Sequence, residues 1–330
     1  MLRRDDHRAY LDQLAAPFGP RLPMEQMVVE MNRLFFDTNA HLFEDKHPEI
    51  FVQMPPIWKR MLDRVLAHAQ APWSILDFGC GVGFCGDMAL DNLPHDDIAR
   101  LTSVDFAPKI LEVCQERLSR RFTRGDYHLD LSTVTGGDYN LLLTNAVLHH
   151  LYDMDLHLRE LESRLAPGAW WVLGHEPSAR FYRNRECLRV LELERQANRW
   201  NRFVRPSKYA RRLNWLTYGD MNKRAAKRCV ELGLFAKAPS HVVIDRIVDC
   251  GVANSVDEAN VGRGYDFEEM QERLKGRWSL EAVETYSFMG IHYEGDLTPY
   301  WRRQAERLRA DHPKDGANFT ALWRYIGKTN

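Results

Sequence analysis

The chain has 330 residues, of which 45% are hydrophobic, and a formal net charge of −1 at pH 7. This length and composition provide a sizeable core, while the near-zero charge argues against general nucleic-acid binding. No run of about 18 or more apolar residues is present to predict a membrane-spanning helix, and residues 1–6 lack the apolar stretch of a signal peptide, so we expect a cytoplasmic protein.

The first predicted elements along the chain are helices. Apolar residues at helical spacing predict a helix over residues 24–36. Pro55-Pro56 marks the first turn of a second helix that runs through Leu66. We expect residues 1–71 to form an N-terminal helical cap.

From Ser74 the pattern alternates between strand and helix, which predicts a parallel sheet covered by helices on both faces. We assign residues 72–178 to this core domain. The predicted strands cover residues 74–78, 101–105, 126–129, 139–144 and 169–175, and the predicted helices cover residues 84–92, 108–120 and 155–165.

The pattern changes after Ser178. Residues 179–278 read as a mainly helical insertion with a short strand at Val242–Val248. Residues 279–330 then contain two further strands, over 280–288 and 319–326, which complete the core sheet. The predicted fold class is therefore α/β, with a seven-stranded, mostly parallel sheet flanked by helices.

The most informative motif is the run Ile75-Leu76-Asp77-Phe78-Gly79-Cys80-Gly81-Val82-Gly83. An apolar strand ends in an acidic residue, which would suit a cationic group, and a glycine-rich turn follows. Glycines allow close backbone approach and positive φ. Their spacing differs from the G-x-G-x-x-G of a dinucleotide-binding turn. The run resembles motif I of the class I S-adenosylmethionine (SAM)-dependent methyltransferases, with Asp77, Gly79, Cys80, Gly81 and Gly83 at the cofactor.

The resemblance extends to the second and third strands. Asp105 lies 22 residues after Gly83, the spacing expected of a carboxylate that binds ribose hydroxyls. A simpler role for Asp105, compatible with ribose binding, is the N-cap of a helix that begins near Pro108. Phe106 is a candidate to lie against the adenine face. At the end of the third strand, Asp130 and Leu131 match the adenine contacts of the family, with Asp126 as an alternative to Asp130.

The fourth strand leads into Asn145-Ala146-Val147-Leu148-His149-His150-Leu151. This stretch resembles motif IV of small-molecule methyltransferases, where Asn145 and Ala146 would pass the sulfonium. It departs from the Asp/Asn-Pro-Pro-Tyr form of DNA amino-methyltransferases, so a nucleic-acid acceptor is not expected. The resemblance covers residues 74–176 and implies that the last strand of the sheet is antiparallel.

Candidates for a general base follow the fourth and fifth strands. They are His149, His150, His175 and Glu176. Histidine titrates near neutrality and suits proton abstraction from a hydroxyl or amine. The simpler interpretation is that one histidine of the 149/150 pair caps or packs the helix beneath it.

The acceptor pocket is expected between the N-terminal helices and the insertion. Phe35, Phe36 and Phe43 are candidates to cover the SAM site. Candidates for the acceptor wall, each of which could equally be core packing, are Phe181, Tyr182, Trp200, Tyr209, Trp215 and Tyr218. Arg180, Arg183 and Arg185 begin a basic stretch that suggests an acidic acceptor or partner, or else a solvated helical face.

The resemblance implies a SAM-dependent methyltransferase acting on oxygen or nitrogen of a small molecule. An alternative enzyme would use the aminocarboxypropyl arm of SAM and release methylthioadenosine. A third interpretation is a non-catalytic partner protein, although such proteins usually lose the glycines or the ribose carboxylate that are present here. The six cysteines show no CxxC pair or Cys/His ligand spacing, so we expect reduced thiols and no metal.

Overall fold

A computed structural model of the chain describes residues 4–201, 221–252, 264–290 and 293–327. Its strands are β1 (Trp73–Phe78), β2 (Ile98–Val104), β3 (Gly125–His128), β4 (Tyr139–Asn145), β5 (Leu165–Pro177), β6 (Trp278–Tyr286) and β7 (Asn318–Tyr325). They form a seven-stranded sheet in the order β3-β2-β1-β4-β5-β7-β6.

The pairing of the strands confirms the predicted α/β fold. Strands β1 to β5 pair in parallel with their neighbours, and β7 runs antiparallel to both β5 and β6. The chain leaves β1 toward β2 on one side and enters β4 on the other. Adjacent strands whose connections diverge in this way leave a crevice at their carboxyl ends, where open α/β sheets bind ligands.

The helices lie before, between and after these strands. Before β1 come α1 (Arg4–Ala15), α2 (Met24–Asn39), α3 (Phe43–Lys46) and α4 (Pro55–His68). Within the core are α5 (Phe84–Asn92), α6 (Pro108–Ser119) and α7 (Met154–Glu162). After β5 come α8 (Ala179–Arg183), α9 (Arg185–Asn201), α10 (Met221–Glu231), α11 (His241–Val248), α12 (Phe267–Leu274) and, between β6 and β7, α13 (Pro299–Asp311).

The short strand predicted at Val242–Val248 is wrong, because this segment is helix α11. Its β-branched residues suggested a strand. The Ser240 side chain, however, accepts a hydrogen bond from the N–H of Val243 and caps the helix. The buried residues are Val243, Ile244, Ile247 and Val248, a spacing that places them on one helical face.

Alternate residues of the central strands face two different layers of helices. Ile75 of β1 packs in one cluster with Trp58 and Leu62 of α4. Leu76 packs on the other face with Leu158 and Leu161 of α7. Successive strand side chains point to opposite faces, so the apolar run of β1 is buried on both sides, as expected for a parallel sheet.

A separate apolar cluster joins the beginning of the chain to the insertion. Helices α1, α2, α10 and α11 pack through residues that include Leu11, Met27, Met31, Cys229 and Ile244. From here on, the cap means these four helices and not the N-terminal cap predicted over residues 1–71. The cap lies over the carboxyl edge of the sheet, because α2 and α11 line the same cavity as the turns after β1, β2 and β4.

Two further observations concern membrane spans and cysteines. Within the described residues, every helix is too short or too polar to cross a bilayer. All six cysteines are free and buried.

Candidate active site

A cavity of about 780 Å³ opens at the carboxyl edge of the sheet, between the core strands and the cap. It lies at the crevice between β1 and β4, where ligands of open α/β sheets bind. The sequence-predicted residues that line it are Phe35, Phe36, Phe43, Gly79, Cys80, Gly81, Asp105, Phe106, Asp130, Leu131, Asn145, Ala146, His149, His150, His175 and Tyr182.

The turn between β1 and α5 lines the cavity with two glycines, Gly79 and Gly81, as well as Cys80 and Val82. Gly79, Gly81 and Gly83 have φ values of +70°, +53° and +93°, in the region that favours glycine. A Cβ on Gly79 would overlap Val147, whereas no described atom lies within 4 Å of a Cβ built on Gly81. Gly81 therefore faces open space, and Gly83 lies behind the cavity as the N-cap of α5.

Asp77 is fully buried beneath this turn and lies outside the cavity lining. Burial raises the pKa of its carboxyl to about 8, against the opposing effect of the Cys85 thiol, and the nearby charge of Asp105 adds to the rise. A carboxyl with this pKa is mostly protonated at pH 7. Asp77 therefore lies beneath the turn and does not reach into the cavity.

Asp105 follows β2 and reaches the cavity with a carboxylate that the backbone holds in place. Its Oδ2 accepts a hydrogen bond from the N–H of Gly81 and its Oδ1 accepts one from Ala107, both at 3.0 Å. Burial raises its pKa to about 6, while these hydrogen bonds act in the opposite direction. Each oxygen keeps a second lone pair, so the carboxylate can still accept from two neighbouring hydroxyls. The N-cap of α6 is Ala107, not Asp105.

The turn after β3 places Asp130 and Leu131 beside Phe106 at one end of the cavity. Asp130 Oδ1 accepts a hydrogen bond from the N–H of Ser132 at 2.7 Å, which lowers its pKa. Leu131 is buried. Asp126, the alternative to Asp130, lies within β3, is exposed and is absent from the cavity lining.

The end of β4 is held from two sides. Asn145 Oδ1 accepts a hydrogen bond from Trp58 Nε1 of α4 at 3.3 Å. The N–H of Ala146 donates to the carbonyl of Gly174 in β5 at 2.8 Å. Ala146 has a φ of +58°, and a non-glycine residue in this conformation is strained and needs such support.

Glu176 is a fully buried carboxylate that holds the turn after β4. Its Oε1 accepts hydrogen bonds from the N–H groups of Val147 and Leu148, at 2.9 and 2.8 Å. Its Oε2 lies 2.9 Å from Nδ1 of His149. Glu176 is not part of the cavity lining, so it acts on the cavity through the turn and through His149.

The two histidines after β4 have opposite electrostatic environments. Burial acts to lower the pKa of His149, but the charge and hydrogen bond of Glu176 outweigh it and raise the pKa above its ordinary value. Burial, with a contribution from His149, lowers the pKa of His150 well below its ordinary value. His150 Nδ1 lies 2.8 Å from the carbonyl of Val248 in α11. The two rings are 4.0 Å apart between centroids.

His175, near the end of β5, also lines the cavity. Its Nδ1 is 3.0 Å from the hydroxyl of Tyr286, and its φ is +53°. Burial lowers its pKa to about 4, although the charge of Glu49 acts to raise it. His175 is therefore a neutral, weakly basic group at pH 7.

The aromatic residues Phe35, Phe36 and Phe43 line the cap side of the cavity. The Phe36 ring meets the His150 ring edge-on at 5.2 Å and lies 6.2 Å from the ring of Phe43. Tyr182 of α8 lines the same cavity. Aromatic faces of this kind attract cations such as a sulfonium.

Two predicted acceptor residues lie away from the cavity. Phe181 is fully buried in a cluster with Cys187, Val190 and Phe288. Arg180 donates to Glu268 at 3.0 Å and to Asp315 at 3.2 Å. These contacts hold α8 against α12 and the segment before β7, and neither side chain is part of the cavity lining.

Comparison with known proteins agrees with this arrangement. Residues 76–171 match the family model described as a methyltransferase domain. The match begins in β1 and ends in β5, so it contains every cofactor residue predicted above. The chain contains a methyltransferase domain, which accounts for less than a third of its residues.

One relative and two solved structures are also similar to this chain. An uncharacterized protein of Synechococcus sp. is 33% identical over 133 residues, which cover 38% of this chain and 31% of the relative. The plantazolicin methyltransferase BpumL, solved with SAH, is 11% identical over 92% of this chain and 99% of its own, with a TM-score of 0.44. Magnesium protoporphyrin IX methyltransferase from Synechocystis PCC 6803, also solved with SAH, is 13% identical over 84% of this chain and 85% of its own, with a TM-score of 0.41.

Part of the predicted acceptor wall of the methyltransferase lies outside the described residues. This applies to Tyr209, Trp215 and Tyr218 and to the side chain of Trp200.

Several residues of the methyltransferase cavity were missed by sequence reasoning. They are His47, Glu49, Asp245 and Asp249. No motif marks them, because His47 and Glu49 lie between α3 and α4, and Asp245 and Asp249 lie in and after α11, where no strand directly precedes them. The expectation of an acidic acceptor also gains no support from the described lining, in which Arg246 is the one arginine or lysine.

Proposed function

We propose that this methyltransferase transfers the methyl group of SAM to an oxygen or nitrogen of a small molecule bound in the cavity. The observation that carries the proposal is the continuity of one cavity. The same space is lined by the turn at Gly79–Gly81 and Asp105, and also by His149 and by the aromatic residues Phe35, Phe36 and Phe43. Donor and acceptor can therefore meet in one enclosed space, as in-line displacement requires.

The cofactor half of the cavity suits SAM in an orientation set by three groups. We assign the ribose hydroxyls to Asp105 and the adenine to Phe106, Asp130 and Leu131. The methionine part would then lie along the exposed backbone of Gly79 to Gly81. Oxygen acceptors such as the Asp105 carboxylate bind hydroxyl donors well, and Gly81 has room for a ligand against its Cα.

The acceptor half begins where the methionine part ends. Asn145 and Ala146 would lie beside the sulfonium, with His149, His150 and Phe36 beyond them. The cofactor supplies the chemistry of methyl transfer, so the protein must align the acceptor and exclude water. A cavity of about 780 Å³ that also holds SAM leaves room for a small molecule or the end of a larger one.

His149 is the side chain that we propose activates the acceptor. Glu176 Oε2 accepts from its Nδ1, which places the proton on Nδ1 and leaves a lone pair on Nε2. An acceptor hydroxyl or protonated amine must lose a proton to become a nucleophile. Of the three histidines predicted as bases, His149 alone has a raised pKa.

The test is an assay with SAM and extracts of small metabolites, in which the methyl group and the aminocarboxypropyl arm carry different labels. We expect S-adenosylhomocysteine as by-product and the methyl label in a small molecule. Release of methylthioadenosine would instead favour use of the aminocarboxypropyl arm. Tight SAM binding by calorimetry with no turnover on any extract would favour a macromolecular acceptor.

A further inference from the structure

We propose that His149, His150 and Asp249 together bind one divalent transition-metal ion on the acceptor side of the cavity. One potential ligand atom from each side chain lies within 4.8 Å of the others. His149 and His150 come from the turn after β4, whereas Asp249 directly follows α11. All three side chains line the cavity, so an ion bound to them would face the acceptor.

The hydrogen bonds of the two histidines carry this inference. His150 Nδ1 lies 2.8 Å from the carbonyl of Val248. A carbonyl can only accept, so Nδ1 bears the proton and Nε2 keeps a lone pair. His149 Nδ1 donates to Glu176 Oε2 at 2.9 Å and is fixed in the same tautomer. Histidines that ligate metals almost always donate their other ring N–H to a carboxylate or a backbone carbonyl, and both partners occur here.

The kind and spacing of the donors agree with a metal ion. The two imidazole rings are neighbours, with their centroids 4.0 Å apart, and imidazole nitrogens bind a metal ion at roughly 2.0–2.1 Å. Asp249 adds a carboxylate oxygen that lies within 4.8 Å of one ring nitrogen of each histidine. Two histidines and a carboxylate suit Zn²⁺, Fe²⁺ or a similar ion and leave coordination positions for a substrate.

The consequence for the reaction rests on the proposed function. A hydroxyl of the acceptor bound to the ion loses its proton more readily, because the positive charge stabilises the alkoxide. The proton passes to solvent, the new carbon–oxygen bond forms, and the bond between sulfur and the methyl carbon breaks to release S-adenosylhomocysteine. The inference therefore names the acceptor class: a small molecule with a hydroxyl that can bind a metal. His149 then acts through the ion instead of removing the proton itself.

The test measures metal binding without any acceptor. The full chain is stripped with a chelator and titrated with Zn²⁺ by calorimetry and with Co²⁺ by visible absorption. We expect one equivalent to bind and both His150→Ala and Asp249→Ala to weaken binding at least tenfold. His157→Ala, which alters another histidine of the same cavity lining, should bind metal as the parent does. His150→Gln repeats the test with a smaller change in volume.

Calorimetry with SAM on the same samples shows whether each variant is folded and separates the two proposals. Stoichiometric SAM binding without stoichiometric metal binding overturns the metal site and leaves His149 as a direct base. Metal binding that is equal in the parent and in His150→Gln also overturns it. Metal binding by a parent chain that fails to bind SAM would leave the metal site standing and remove the proposed function.

Discussion

The two halves of the cavity are built in different ways. The cofactor half comes from short turns directly after β1, β2, β3 and β4, and its central contact is a hydrogen bond from backbone to Asp105. The acceptor half comes from segments as far apart as Phe36 and Asp249, and its contacts join side chains such as His149 and Glu176. The proposed site for the cofactor, which many proteins share, thus depends on local backbone geometry. The proposed site for the acceptor, which varies between proteins, depends on side chains that tertiary packing brings together.

The largest effect should separate the two halves directly. We expect His149→Ala to lower turnover about 10²–10⁴-fold, because an activating group is lost, while the SAM dissociation constant changes by less than about threefold. Single-turnover rates and calorimetry measure the two quantities. An equal loss of both, or of neither, would remove His149 from the acceptor half.

Asp105→Ala should act on the cofactor half. Loss of two hydrogen bonds from hydroxyls to a carboxylate should weaken SAM binding about 10–100-fold, with a smaller change in turnover at saturating SAM. Calorimetry gives the affinity and steady-state kinetics gives kcat. Asp126→Ala is the control, because Asp126 is exposed and outside the lining. SAM affinity that is unchanged in Asp105→Ala would contradict the ribose assignment.

Two neighbouring glycines provide a matched test of the turn. Gly79→Ala places a methyl against Val147 and should lower the free energy of unfolding by about 1–3 kcal/mol. Gly81→Ala faces open space and should cost only about 1 kcal/mol from its positive φ, but its methyl should obstruct SAM. Denaturant unfolding and calorimetry should therefore rank the two variants in opposite orders.

The smallest effect concerns pH. The pKa of Asp105 is raised to about 6 by burial, so this carboxyl lowers the free energy of unfolding as pH rises from about 4 to about 6. SAM binding has the opposite slope, because ionised Asp105 accepts from the ribose. We expect affinity to fall roughly tenfold per unit below about pH 6.

Asp105→Asn should remove the pH dependence of SAM affinity in calorimetric titrations from about pH 7.5 to about pH 5. Asp37 and Asp77 are the acidic neighbours that act electrostatically with Asp105. A slope that persists in Asp105→Asn would assign the titration to one of them.

The turns that line the proposed cofactor half could be located from sequence, because glycine at positive φ and a carboxylate after a strand leave local marks. The strands follow from the alternation of strand and helix, and the structure has seven strands close to the predicted ranges. The helix α11 could not be predicted in the same way, because its β-branched residues favour a strand. Its helical state depends on the hydrogen bond to the Ser240 side chain and on packing against α1, α2 and α10.

Side-chain partners from distant segments leave no such mark. His150 and Asp249 are about 100 residues apart, so no ligand spacing in the sequence relates them, and we expected no metal from the absence of such spacing. Arg180 looked like an anchor for an acidic acceptor, yet Glu268 and Asp315 bind it. Such pairings depend on how the insertion folds against the core.

The cap has a consequence for how acceptor preference can change. Two of its helices precede β1 in the sequence and two follow β5. They are in contact where Met31 Sδ lies 3.1 Å from Cys229 Sγ. A chimaera that exchanged α2 without α10 and α11 would pair surfaces that never packed together. Transplanting acceptor recognition, in the laboratory or by recombination, would therefore require both segments to move as one unit while the strands between them stay in place.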